Sequence, residues 1–197
     1  MALLTLSEAQ ERQLLEAWDR EDGAAREASF RALVAHFERP LLRLATHLTG
    51  SPVDAPDVVQ EVLLALHRAL PSFRGEARLS TFVYRIALRA AAQHRARRLH
   101  TAGAQADDEV WRQMLDPGVP PDRQATAREE LRRMLEALGR LSLEHRGVLS
   151  LSAIEGLGPA RIAEVLGIPE GTVWSRLHLA RRKLLAAMRE PEELSKT

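Results

Sequence analysis

Apolar positions recur every three to four residues along most of the 197-residue chain, the period of helices that bury one side. The pattern predicts helices over 3–17 and 24–48, the second stopped by Thr49-Gly50-Ser51-Pro52, a glycine followed by a proline. A third is predicted over 53–70, with Asp54 as N-cap and Pro71 closing it, and a fourth over 79–99 with Ser80 as its cap. Residues 100–124 lose the period and gather three prolines and five acidic residues, as a linker would, with a short helix over 110–115 around Trp111 and Leu115. Further helices are predicted over 125–139, 143–155, 159–166 and 169–188, and the polar tail from Glu190 is expected to fray. No run reads as a strand. The expected fold is all-α: two small helical domains, 1–99 and 125–197, joined by a flexible linker over 100–124.

The last two helices carry the most specific pattern. Ala163 is a small residue where two helices would touch, Gly167 can take a positive φ, and Val173 would pack back on the first helix, which is what a helix-turn-helix requires. On the second helix Val173, Leu177, Ala180 and Leu184 form a narrow apolar stripe facing the core. Opposite it lie Gly171, Ser175, His178 and Arg182, flanked by Trp174 and Arg181 on one side and Arg176 and Lys183 on the other, with Leu179 also pointing outward. Such a face fits the major groove of DNA, with Thr172 at its start; a merely solvated basic face is the plainer alternative.

Net charge is only +1, but the charges are segregated. Over residues 1–27 acids outnumber bases seven to three, whereas 74–98 holds seven arginines and one acid, Glu76. Absence of cysteine excludes disulfides and thiolate chemistry. The N-terminus does not read as a signal peptide and no run reaches the length of a membrane span, so a cytoplasmic protein without membrane insertion is expected. The histidines and carboxylates show neither metal-ligand spacing nor a catalytic arrangement, so no enzymatic role, metal or cofactor is expected.

Two constellations in the first domain call for partners. On the 53–70 helix, Val58, Val59, Val62, Leu63, Leu66 and Ala69 form an apolar face, and Asp57, Gln60, Glu61 and Arg68 lie across from it. Leu64 stands on that polar side, either an apolar anchor in a charged rim or an incidental exposed leucine. In 73–98 the arginines Arg74, Arg85, Arg89, Arg95, Arg97 and Arg98 are interleaved with Phe82 and Tyr84, and Gln93 lies among them. Bases stack on aromatic faces while arginines hold phosphates, so this stretch fits single-stranded DNA, although Phe82 with Ile86 could equally be core.

Taken in order, these parts resemble the bacterial sigma factors of the extracytoplasmic-function type over about residues 28–188. Asp57-Val58-Val59-Gln60-Glu61-Val62 is similar to the family's DLVQEVF helix, and the resemblance implies that Asp57, Gln60, Glu61 and Leu64 bind the β′ clamp helices of core RNA polymerase. Phe73-Arg74-Gly75 and Thr81-Phe82-Val83-Tyr84-Arg85-Ile86-Ala87 resemble its FRGxxxFxTWLYRIA segment, which implies capture of the melted promoter −10 element. Leu141 to Leu149, Glu155-Gly156-Leu157 and the residues from Ile162 to Arg181 resemble its C-terminal helix-turn-helix, which implies reading of the −35 element by the second helix and a contact with the β flap. An anti-sigma factor is a further partner the resemblance implies. Phe82 stands where the family usually has Trp, Arg89 and Gln93 where it commonly has Asn and a polar or acidic residue, and Trp174 and Leu179 where basic residues are usual. The competing readings are a stand-alone helix-turn-helix regulator, which would bind its operator without polymerase, and a sigma-like protein that binds polymerase but melts promoters poorly.

Overall fold

The computed structural model describes residues 6–19, 23–98, 120 and 123–194. Among them every regular element is helical. The first lobe comprises α1 (Glu8–Asp19), α2 (Gly23–Thr49), α3 (Ala55–Ala69), a 3-10 turn (Leu70–Ser72) and α4 (Leu79–Arg98). The second comprises α5 (Gln124–Gly139), α6 (Leu143–Ala153), α7 (Pro159–Leu166) and α8 (Glu170–Leu194). The expected 110–115 helix lies outside the described residues, and α8 continues as helix to Leu194, into the tail expected to fray from Glu190.

Chain ends of the helices are set locally. Ser7 and Gln10 form a reciprocal capping box before α1, Ser7 N–H donating to Gln10 Oε1 at 3.0 Å and Gln10 N–H to Ser7 Oγ at 3.2 Å. Two expected caps are replaced. Asp54 stands at the N-cap position of α3 but in helical backbone conformation with no side-chain cap bond; its buried carboxylate instead lies 3.5 Å from His94 Nε2 of α4. Ser80 falls inside α4, because a carboxylate from α1 satisfies the amide of Leu79 one residue earlier.

Residues Leu33, Phe37, Leu41, Leu44 and Leu48 form the buried stripe of α2, at the spacing a single helix face requires. That helix is the hub: it packs on α1, α3 and α4 of its own lobe and on α5 and α6 of the other. The apolar face expected for α3 is in place, with Val58, Val59, Val62 and Leu66 buried and Leu63 and Ala69 packed against the core. One buried cluster runs through both lobes, so the two domains expected to be joined by a flexible linker also share a seam here.

The half-buried His47, in the last turn of α2, has its imidazole pKa pushed down to about 4 by desolvation. The unfolded chain takes up this proton near pH 6.5 and the fold resists it, so this contribution to stability is full above pH 6.5 and is lost as pH falls towards 4. His47→Gln is expected to flatten that part of a plot of Tm against pH; a curve identical to wild type would remove His47 from the account.

Candidate nucleic-acid interface

The turn between α7 and α8 is closed as a helix-turn-helix requires. Gly167 takes φ +65°, and Ile168 N–H returns to Ala163 O at 3.2 Å, so that carbonyl near the end of α7 is satisfied as the chain turns. Val173 N–H then reaches Pro169 O at 3.2 Å as α8 begins. The expected stripe of α8 faces inward, with Val173, Leu177 and Ala180 buried and Leu184 packed on the core. Its other side presents Gly171, Trp174, Ser175, His178, Arg181 and Arg182 to solvent, with Thr172 half-buried. Trp174 is 57% exposed, and its indole N–H donates to Glu170 Oε1 at 3.3 Å. Arg176 is drawn aside by an ion pair at 3.1 Å with Glu144 of α6, and Leu179 is half-buried where the sequence pattern pointed it outward.

On the first lobe, Asp57, Gln60 and Leu64 are exposed on one face of α3, and Leu64 is 52% exposed. Glu61 shares that side and is ion-paired to Arg97 of α4. The four residues that the resemblance groups as polymerase-binding therefore lie on one surface.

The arginine-rich segment divides. Arg74, Arg89 and Gln93 are exposed, and Phe82 is half-buried with its ring 5.0 Å from that of Phe73. Tyr84 departs from the expected stacking role: it is 1% exposed, and its hydroxyl donates to Gly147 O of α6 at 2.8 Å. Burial, with the carboxylate of Glu155 nearby, raises the phenol pKa well above its ordinary value, so the hydroxyl remains a donor. Arg85 donates to Val165 O at 2.7 Å and Glu164 O at 2.9 Å, the orphan carbonyls at the end of α7, and Arg95 donates to Leu141 O at 3.2 Å. These side chains hold the lobes together here. Arg98 ends α4, and its side chain lies outside the described residues.

Sequence reasoning missed this seam, although α4 carried a signal of it. Val83, Ile86 and Ala90 are buried, and so are Tyr84, Ala87 and Ala91, a stripe too wide for one neighbour. Arg146 of α6 is buried at the same seam, and desolvation, then repulsion from Arg95, lowers its pKa to about 10, still charged at neutral pH. Among the described residues no group of three or more His, Asp or Glu side chains could hold a metal ion, and no helix is long and apolar enough to cross a membrane.

A helix-turn-helix with an open basic face, beside a second helical lobe bearing an arginine-rich helix and an acidic, leucine-centred surface, defines a DNA-binding protein with a second exposed surface of different character. Residues 33–101 match sigma-70 region 2 and residues 131–184 match sigma-70 region 4. The chain is 32% identical over 190 residues to the RNA polymerase sigma-H factor of Pseudomonas aeruginosa, covering 93% of this chain and 96% of that protein. It is 31% identical over 163 residues to the ECF RNA polymerase sigma-E factor of Haemophilus influenzae, covering 79% and 85%. Among solved structures, CnrH in complex with the cytosolic domain of CnrY superposes with a TM-score of 0.62 at 27% identity, over 90% of this chain and 96% of CnrH. The sigma factor RpoE of Bartonella quintana, solved with the anti-sigma factor NepR, shares the fold with a TM-score of 0.59 at 22% identity, over 81% and 96%. The chain belongs to the extracytoplasmic-function group of sigma-70 factors. It is a non-enzymatic RNA polymerase sigma factor that directs promoter-specific transcription initiation, and sigma factors bind core RNA polymerase and promoter DNA.

Proposed function

We propose a division of labour among the surfaces of this sigma factor. Residues 1–99 form the domain that binds polymerase and captures the −10 element, 125–197 form the domain that reads the −35 element, and 100–124 link them. Asp57, Gln60, Glu61 and Leu64 dock on the β′ clamp helices, and the second domain meets the β flap. Arg74, Phe82, Arg89, Gln93, Arg97 and Arg98 face the melted −10 strand. Gly171, Thr172, Trp174, Ser175, His178, Arg181 and Arg182 enter the −35 major groove, with Arg176 reaching phosphate once it leaves Glu144. The protein acts in the cytoplasm, and its masking partner is an anti-sigma factor, a reading supported by the likeness to CnrH solved with CnrY.

The observation that carries this reading is the open face of α8: a buried apolar stripe on one side and Trp174, Ser175, His178, Arg181 and Arg182 in solvent on the other. Engagement of both elements also requires the lobes to part, because Tyr84, Arg85 and Arg95 are committed to carbonyls of the second lobe. Transcription of genomic DNA by purified core polymerase with this chain maps the promoters through their start sites. On such a promoter Arg181→Ala should weaken holoenzyme binding and reduce the salt slope by about 1, as expected on losing one phosphate contact. Wild-type affinity and slope would take Arg181 out of the interface.

A further inference from the structure

We propose that Glu11 is a positioning residue for capture of the melted promoter strand, and that α1 is the strap through which it acts. The proposal rests on the reading that 73–98 captures that strand. Residues 73–78 run without helix between the 3-10 turn and α4, with Phe73 extended and Gly75 at φ +70°. Such a segment needs outside contacts to hold one shape.

Glu11 supplies them from a distant part of the chain. Its carboxylate accepts from Leu79 N–H at 2.5 Å, one of the amides that α4 leaves unsatisfied at its start. Its other oxygen lies 3.8 Å from Arg78 Nε, and Arg78 Nη2 donates to Leu6 O at 3.0 Å. The Glu11 side chain is only 14% exposed, a degree of enclosure a carboxylate accepts when its partners are charged or dipolar. The strap is itself fixed: the Ser7–Gln10 box sets the start of α1, Glu11 N–H donates to Ser7 O at 2.9 Å, and Leu6 is buried.

The other end of the segment is held by the Phe73–Phe82 ring contact. Arg74 therefore sits exposed between two pins. Beside it Gly75, Glu76 and Arg78 line an open cleft of about 790 Å³ whose facing wall includes Glu11 and Glu16 of α1. A segment held in one conformation loses less freedom on binding a flexible strand, so the carboxylate acts on affinity without touching DNA. The excess of acid in the N-terminal stretch thus acquires one specific task, clasping the loop that carries the opposite charge.

The test uses full-length protein in holoenzyme and a labelled non-template oligonucleotide spanning the −10 element of a promoter mapped by genomic transcription. Glu11→Ala should bind that strand about tenfold more weakly, whereas Glu11→Gln, whose amide oxygen still accepts from Leu79, should lose less than about threefold. Affinity for core polymerase and for a duplex carrying only the −35 element should stay at wild type in both. Should Glu11→Ala fail to fold, Glu11→Asp, a methylene too short to reach both partners, is read in the same assays with the same expectation. Arg74→Ala separates the two ideas. If Arg74→Ala weakens strand binding and the Glu11 variants do not, the positioning role is overturned while the reading of the segment survives. If neither matters, the segment is not the strand reader and both fall. A loss of core affinity equal to the loss of strand affinity would reduce Glu11 to a purely structural residue and also overturns the proposal.

Discussion

Leu64→Asp is expected to lower affinity for core RNA polymerase by about a hundredfold, the effect of placing a charge at the centre of a docking surface. Leu64 is half exposed on α3, so the substitution removes nothing from the core and the fold should melt as wild type. It also stands among Asp57, Gln60 and Glu61, the arrangement in which an apolar anchor is shielded by a polar rim when a partner seats on it. Truncating Gln60 or Glu61 to alanine should cost less, because rim groups exchange one set of polar contacts for another; Glu61→Ala also releases Arg97. Anisotropy of the labelled full chain titrated with core polymerase measures all three. Affinity for Leu64→Asp within twofold of wild type would remove this surface from the polymerase interface.

The second large effect is expected at Gly50, where the end of α2 lies against the end of α5. A β-carbon added there would lie 2.7 Å from Gly139 Cα and 2.8 Å from Gly139 N, both backbone atoms that cannot rotate away. The residue also sits at φ +72°, a conformation that costs an L side chain about 1 kcal/mol or more. Gly50→Ala should therefore destabilise by about 2–4 kcal/mol and push α5 off the end of α2. Because the lobes share one buried cluster, we expect the thermal transition to broaden or split, and amides at the seam around Gly147 to exchange faster. The comparison variant is Gly171→Ala, at an exposed glycine whose added β-carbon meets nothing. A sharp transition for Gly50→Ala at the wild-type Tm would mean that the seam adds little to stability.

Beside the shared buried cluster, the seam carries polar contacts that a partner could replace. Arg85 and Arg95 donate to main-chain carbonyls, and Tyr84 does the same through its hydroxyl. The two exposed guanidinium groups can exchange a carbonyl for water or DNA phosphate at modest net cost, whereas Tyr84 leaves its partner only by exposing buried ring surface. Arg85 and Arg95, which the sequence pattern offered to phosphate, are thus spent on closing the molecule here.

Helix type and the faces within each lobe were legible from the chain alone. Period and punctuation place the helices to within a few residues, since Gly50 and Gly167 can adopt the left-handed conformation that ends a helix and the apolar stripes of α3 and α8 have one side to bury. The helix-turn-helix, the exposed Leu64 and the acid around it follow from local spacing, and local spacing survives folding. What only the tertiary structure decided is long-range: the Glu11 carboxylate on the start of α4, Asp54 turned to His94 instead of capping, Tyr84 and Arg85 spent on the second lobe, and Gly50 against Gly139. A carboxylate or guanidinium in a sequence has the same composition and period whichever backbone atom it meets. Its partner is chosen by which helices the shared core brings side by side.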